Sequence, residues 1–470
     1  MRRLTTVIVL ATSALSFGQS WEKLVAPGLT YRMEIDSKTP RVIHALRWSF
    51  TAPSLFARSE VSQMRLYGAP GAEAKETTSS IVKKSKAIAG INGDFFPASG
   101  EPLGTMVRDG QLLSRPYPGR PAFAWGPSSQ AFVTLDWQGD VSFDSGQPRQ
   151  LQGINEDLQD DRLVLYTDGA AEVRSNGPST YLVLEMDNPQ AAPNSVNRGW
   201  VTEVLRGQTS YKIKKGQYVI AMQGPGSASL TNTTVGTAVR ITMRTSGLDW
   251  ASFDNAIGGG PSLLRGGKFV DDGAAGNFGK TFLENRHPRT AIGRTPQGDI
   301  WLVTVDGRQP MSAGCSIREI ADLMLTFGCT DAINLDGGGS TTLSLFGEVL
   351  NRPSDGTERR ISNALLIFGP TYSSPGETVT IEGAANLTGT ANAPYRLLGA
   401  DGNAIPNREV LWSAMGPGGW IDQSGTFRPL PAGGTATIRA FSRGSVASIN
   451  VKVAATQPAQ PANEGSEPNR

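Results

Sequence analysis

Three aspartates in this chain close apolar, strand-like runs with glycine beside them, a pattern that delivers a carboxylate to the edge of a sheet. Asp336 follows Ala332–Leu335 in D-A-I-N-L-D-G-G-G-S-T-T-L (331–343) and precedes Gly337, Gly338, Gly339 and Ser340. Glycine tolerates positive φ and lets the backbone approach a ligand. Three in a row after a strand-end carboxylate therefore predict a turn whose N–H groups converge on an anion. A Gly-rich hairpin turn with a solvated aspartate would carry the same pattern. Asp306 follows I-W-L-V-T-V (300–305) and precedes Gly307 and Arg308. Asp94 closes A-I-A-G-I-N-G-D (87–94), after Asn92 and Gly93 and before Phe95 and Phe96. Asn-Gly is a strong turn signal. An ordinary hairpin with both phenylalanines in the core thus competes here with a polar Asn/Asp pair backed by an aromatic platform.

Cations stand near these carboxylates in sequence. N-R-H-P-R-T-A-I-G (285–293) places Arg286 and Arg289 around His287-Pro288, with Thr290 opening an apolar strand. Arginine presents a planar fork suited to phosphate or carboxylate. Arginines solvated in a loop are the competing expectation, more so for Arg286 than for Arg289. His287 is a candidate acid/base group, and His44 fits better as a structural sheet residue. Asp271–Lys280 is polar and Gly-rich, the composition of a mobile loop over a site.

These groups need elements to position them. Ser316–Phe327 repeats apolar residues at Ile317, Ile320, Leu323, Met324 and Phe327, the spacing of an amphipathic helix. Ser316 and Glu319 form a capping box, and Gly328 ends the helix. Strand, helix and strand over 300–336 predict a βαβ crossover with parallel strands. Asp306 and Asp336 would then share one crevice at the C-terminal ends of the strands. The expected fold is a mixed α/β (α+β) catalytic domain on a mixed sheet, followed by a small all-β immunoglobulin-like sandwich.

Composition narrows the chemistry. The 470 residues suffice for two or three domains. A net charge of +2 gives no electrostatic case for nucleic acid or an anionic membrane surface. Only two histidines leave carboxylates and arginines to carry most of any chemistry. With 55 glycines, 30 prolines and 18% charged residues, a strand- and loop-rich protein fits better than a helical bundle. Residues 1–18 read as an export signal, with Arg2 and Arg3 before the apolar run Leu4–Phe17. That run is too short to span a membrane, so a secreted or periplasmic protein is expected. Cys315 and Cys329 flank the predicted helix. That helix would hold them roughly 18–20 Å apart at 1.5 Å per residue, too far for a disulfide, and two buried free thiols are expected. Catalytic machinery is expected over 20–369, a linker over 370–377, the sandwich over 378–455 and a disordered tail over 456–470.

The ordered set N-G-D-F-F (92–96), G-G-G-P (258–261), R-T-A-I-G (289–293), D-G-R (306–308) and N-L-D-G-G-G-S (334–340) resembles the phosphodiester glycosidase family. The resemblance is strongest over 250–368, extends more weakly back to about 87, and leaves the C-terminal β region uncovered. It implies hydrolysis of a sugar-1-phosphodiester, of the N-acetylglucosamine type or from a bacterial surface polysaccharide. Such a substrate is an anion, which suits an arginine clamp of Arg289 and Arg308 and the Gly337–Ser340 turn. Cleaving a glycosidic bond takes one carboxylic acid and a second carboxylate acting as base or nucleophile. Asp306 and Asp336 form the first expected pair, with Asp94 as a third, and Asn92, Gly93 and Thr290 as substrate contacts. Two alternatives stay open. The carboxylates could hold Ca²⁺ or Mg²⁺ for a phosphodiesterase, or the chain could be a surface carbohydrate-binding protein without activity. In either, the C-terminal region could contact cell wall or polysaccharide.

Overall fold

Leu29–Asp36 alternates buried and half-buried residues, and Arg41–Trp48 pairs with it. These strands begin the sheet that carries the candidate site. The computed structural model describes residues 18–36, 38–67, 75–144, 146–371 and 376–456. The predicted signal apart from Gly18, linker residues 372–375 and the tail beyond 456 lie outside the described residues.

The sheet runs in the order Ser20–Ala26, Leu29–Asp36, Arg41–Trp48, Ile300–Val305, Arg289–Arg294, Asp331–Asn334, Ser262–Arg265, Lys268–Phe269. Every pairing in it is antiparallel. Ile300–Val305 is buried throughout because both faces are covered. Val303 and Val305 join Ile317, Ile320 and Met324 of the helix on one side. Ile300 and Leu302 meet Ile88, Ile91, Leu343 and Leu365 of a second sheet on the other. That second sheet has the order Glu348–Val349, Leu343–Leu345, Ala89–Asn92, Asn363–Phe368, Phe56–Val61.

The α/β expectation is overturned. The molecule is mostly β, 49% strand against 10% helix, divided among many small sheets. Within 300–336 there is no crossover between neighbouring parallel strands. Arg289–Arg294 lies between the two strands and is antiparallel to both. The periodicity of 300–336 places the strands and the helix but carries no information on which segment inserts between them. The helix itself spans Ile317–Thr326 and begins with a reciprocal capping box between Ser316 and Glu319. Gly328, at φ +79°, follows its end. Cys315 and Cys329 are buried and unbridged.

The stretch from Asp136 to Ser246 forms most of a further eight-stranded sheet, dominated by the hairpin of Glu172–Met186 with Ser195–Lys212. Beyond residue 380 the strands form three small sheets around Tyr395, Trp412, Phe427, Ile438 and Val451. This C-terminal part is seated firmly on the first. Leu411, Trp420 and Phe441 complete the core of the N-terminal sheets. Arg439 pairs with Glu348 (2.6 Å), and Lys23 donates to the carbonyls of Asn407 and Val410. Burial at that contact pulls the Lys23 ammonium down to about 7, against the opposing pull of Asp422. No helix among the described residues is long and apolar enough to cross a membrane.

Candidate active site

The two main sheets are stitched together by Asn92, and the stitch sets one aspartate beside another. Asn92 ends Ala89–Asn92 and is wholly buried. Its Nδ2 donates to the Asp336 carbonyl (2.7 Å), and its Oδ1 accepts from Thr290 Oγ1 (2.7 Å) and the Thr342 N–H (3.0 Å). Asp336 N–H donates to the Gly93 carbonyl (2.9 Å), and Gly93 N–H to that of Asn363 (2.8 Å). A Cβ at Gly93 would fall 2.5 Å from Asn363 Oδ1, so the chains could not approach this closely with any side chain there. Asn92, Gly93 and Thr290, expected as substrate contacts, are therefore the joinery that brings Asp94 to Asp336.

Both carboxylates are lifted out of their usual range. Asp94 is 1% exposed. Its Oδ1 accepts from Phe95 N–H (2.8 Å) and its Oδ2 from Gly104 N–H (2.7 Å). Burial raises it to about 6, with the Asp336 charge adding to the rise and Arg120 and the two N–H groups opposing it. Asp336 is half-buried and accepts from Gly337 N–H at Oδ1 (2.9 Å). Desolvation raises it to about 6 as well, opposed by Ser340, Gly337 N–H and the charges of Arg359 and Arg120. The buried Ser340 hydroxyl leans toward this carboxylate without reaching full hydrogen-bond geometry. Glycines wall the Asp94 side: a Cβ at Gly104 or Gly258 would stand 2.6 or 2.5 Å from Asp94 Oδ2.

The arginines divide the work differently from expectation. Arg289 is fully buried and gives Nε to the carbonyl of Cys315 (2.9 Å) and Nη2 to those of Phe282 (2.5 Å) and Asn285 (3.1 Å), while its buried Nη1 has no hydrogen-bond partner among the described residues. Burial lowers it to about 10. It anchors the 280–285 segment. Arg308, at φ +59°, lies against the glycine turn, where a Cβ on Gly338 would be 3.3 Å from its Nη2. The same Nη2 donates to His287 Nδ1 (3.2 Å), because a guanidinium has no lone pair to accept with. Burial, then Arg289 and Arg308, push His287 down, so its imidazole is held neutral. Arg286 is bonded to Glu319 at the helix start.

Asp306 is set apart from the pair. It is buried, accepts from Asn351 Nδ2 (3.1 Å) and the Arg352 N–H (3.1 Å), and faces His44 Nε2 at 3.7 Å. Among the described residues no hydrogen bond joins it to Asp336. It lines a small cavity of about 30 Å³ with His44, Arg352 and Trp420, between the sheet and the C-terminal strands. Four N–H groups at the glycine turn go to partners within the chain: Asp336 Oδ1 (Gly337), Pro288 O (Gly338), Gly337 O (Ser340) and Gly338 O (Thr341). The turn thus holds Asp336, and the N–H of Gly339 is not among the four. No cluster of three or more metal-ligating side chains occurs among the described residues.

One residue was not singled out from the sequence. Arg120, in a Pro-rich loop next to the site edge, places its charge on both Asp94 and Asp336. The Pro-rich composition of 115–121 marks a loop, and nothing in its spacing marks an arginine that acts on two distant carboxylates.

With that geometry in place, comparison with known proteins is informative. Residues 190–368 match the phosphodiester glycosidase family model. The match includes Asp306 and Asp336 but neither Asp94 nor Arg120. The chain is 32% identical over 146 residues to the SPbeta prophage-derived uncharacterized protein YomE of Bacillus subtilis (strain 168), covering 31% of this chain and 22% of that protein. It is 34% identical over 124 residues to the N-acetylglucosamine-1-phosphodiester alpha-N-acetylglucosaminidase of Bos taurus, covering 24% and 23%. It thus spans less than a quarter of the length of these relatives. A hypothetical protein from Synechocystis superposes with a TM-score of 0.62 at 25% identity, covering 73% of this chain and 62% of that one. Over residues 190–368 the chain is thus similar to the phosphodiester glycosidase family.

Proposed function

We propose that the protein hydrolyses the glycosidic bond of a sugar-1-phosphodiester with Asp336 and Asp94 as its two carboxylates. The observation that carries this is the meeting of two aspartates at the junction of two sheets, where Asp336 N–H bonds the carbonyl of Gly93 beside Asp94 and burial raises each carboxyl to about 6. Near pH 6 two such groups offer an acid and a base together. Asp94 has an N–H on each oxygen, which favours its ionised form. Asp336 has fewer donors and is more open, so it carries the proton and delivers it to the phosphate oxygen that leaves C1. Asp94 keeps the negative charge that faces the developing positive charge at the anomeric carbon, as base or nucleophile. An anionic phosphodiester bound beside the pair raises both groups further and loads the acid. Arg308, poised over Gly338, and neutral His287 flank the leaving-group side.

The test is hydrolysis of an N-acetylglucosamine-1-phosphodiester by the full chain in ¹⁸O water, with and without EDTA. ¹⁸O in the released sugar, unchanged by EDTA, supports C–O cleavage by the carboxylates. ¹⁸O in the phosphate, or activity lost in EDTA and restored by Ca²⁺ or Mg²⁺, would replace this reading with a metal-dependent phosphodiesterase. Export through residues 1–18 and an immunoglobulin-like unit over 378–455 that contacts polysaccharide complete the proposal. Signal cleavage in the periplasmic or culture fraction and glycan-array binding test them.

A further inference from the structure

Arg120 stands in an arrangement that its structural contacts do not exhaust. Its guanidinium carbon lies 4.3 Å from the ring centre of Tyr117, 4.4 Å from Phe278 and 5.1 Å from Phe95. Its Nε donates to the Gly276 carbonyl (3.0 Å). A Cβ at Gly276 would meet Phe278 at 2.7 Å, so this backbone is pressed onto the ring. Phe278 stacks on Phe282 with ring centres 5.0 Å apart, and Arg289 caps Phe282 from beyond at 4.5 Å. The column Arg120–Phe278–Phe282–Arg289 closes the 276–284 segment over the site and fixes the Arg120 plane. Guanidinium planes stack readily on aromatic faces, and such pre-organisation lessens the entropy lost on binding.

What is left over is Nη1. It is buried and has no hydrogen-bond partner among the described residues. Two carboxylates feel the Arg120 charge, yet no hydrogen bond joins it to either of them. Buried donors are ordinarily satisfied, and an orphan at a functional edge calls for a partner the protein does not supply. A cation fixed by an aromatic bracket, unbonded to either carboxylate and with a donor to spare, suits an anion.

We infer that Arg120 holds the phosphate of the substrate beside Asp94 and Asp336 and so decides that the leaving group is a phosphodiester rather than a neutral aglycone. This rests on the reading of the pair as a phosphodiester glycosidase site. It moves the phosphate contact from Arg289, which also has an unpartnered Nη1 but is fully buried and tied to three backbone carbonyls, to a residue outside the span that the family model matches.

The experiment uses the full chain, its Arg120→Met variant and its Arg120→Lys variant, with thermal melts reporting folding. N-acetylglucosamine 1-phosphate and N-acetylglucosamine are titrated by calorimetry. kcat and KM are measured on an N-acetylglucosamine-1-phosphodiester and on p-nitrophenyl N-acetylglucosaminide. The expected result is at least tenfold weaker binding of the sugar phosphate by Arg120→Met, with sugar affinity retained. The loss of kcat/KM on the diester should exceed that on the neutral glycoside by tenfold or more, with partial recovery in Arg120→Lys. Equal losses on both substrates, or sugar-phosphate affinity indifferent to Arg120, overturn the assignment, as does a wild-type chain that does not bind the sugar phosphate. Turnover of the diester with Arg120-independent binding leaves the glycosidase standing and removes Arg120. Arg120-dependent binding without turnover of either substrate does the reverse. If Arg120→Met does not fold, Arg120→Lys decides by the same criteria.

Discussion

Asp306 and Asp336 carry the same local signature, an apolar strand, a carboxylate and a glycine, and follow strands that run in the same direction in one sheet. Their surroundings differ. Asp306 meets a complete set of partners, Asn351, Arg352 N–H and His44, supplied by segments that pack against it. Asp336 meets one backbone N–H and a loosely placed hydroxyl, and desolvation raises its proton affinity. A strand-end aspartate is a location; the groups brought to it by other segments decide whether it stabilises or reacts.

The sharpest way to break this comparison is to substitute both. Asp336→Asn is expected to lower kcat by at least ~10²-fold, the low end for removing a general acid or base. Asp306→Ala should change kcat far less but leave Arg352 N–H and Asn351 unsatisfied, costing about 1–3 kcal/mol. Urea titrations alongside steady-state kinetics read both. A folded Asp336→Asn chain of undiminished kcat, or an Asp306→Ala chain that is stable and inactive, would reverse the assignment.

The stability of Asp336→Asn sharpens the contrast further. A carboxylate near 6 in the folded chain and near 3.9 in the unfolded one makes the native state bind more protons between those values. Its contribution to stability is present below about pH 4 and is lost as pH rises through about 6. Asp336→Asn removes that loss, so it should be more stable than wild type at pH 8 by about 1–2 kcal/mol, after discounting the shift for partial exposure. The gain should vanish at pH 4. Thermal melts at the two pH values check it, and a variant less stable than wild type at pH 8 would mean the Asp336 charge is well accommodated. Activity on the same grounds should peak near pH 6 and fall on both sides, as one group must be protonated and the other ionised.

A smaller effect is expected from Gly104→Ala. Its Cβ would press on Asp94 Oδ2 at 2.6 Å. The pH–rate profile should move before overall stability does, whereas an alanine at exposed Gly356, with open space around it, should leave the profile unchanged.

Local chemistry alone determined several elements that the structure contains. Ser316 and Glu319 cap a helix because a capping box needs only residues three apart. Cys315 and Cys329 stay unbridged because that helix separates them. The apolar runs before Asp94, Asp306 and Asp336 are strands. None of this depends on distant partners. Tertiary structure alone decided the rest. That Arg289–Arg294 inserts between two strands and makes the sheet antiparallel is a matter of long-range pairing, to which periodicity is blind. That Asn92 ties Asp94 to Asp336 across 244 residues, that Arg289 turns inward to carbonyls, and that Arg120 reaches the pair are facts of packing. A side chain's chemistry follows from its desolvation and its neighbours, and those are set when separate segments meet.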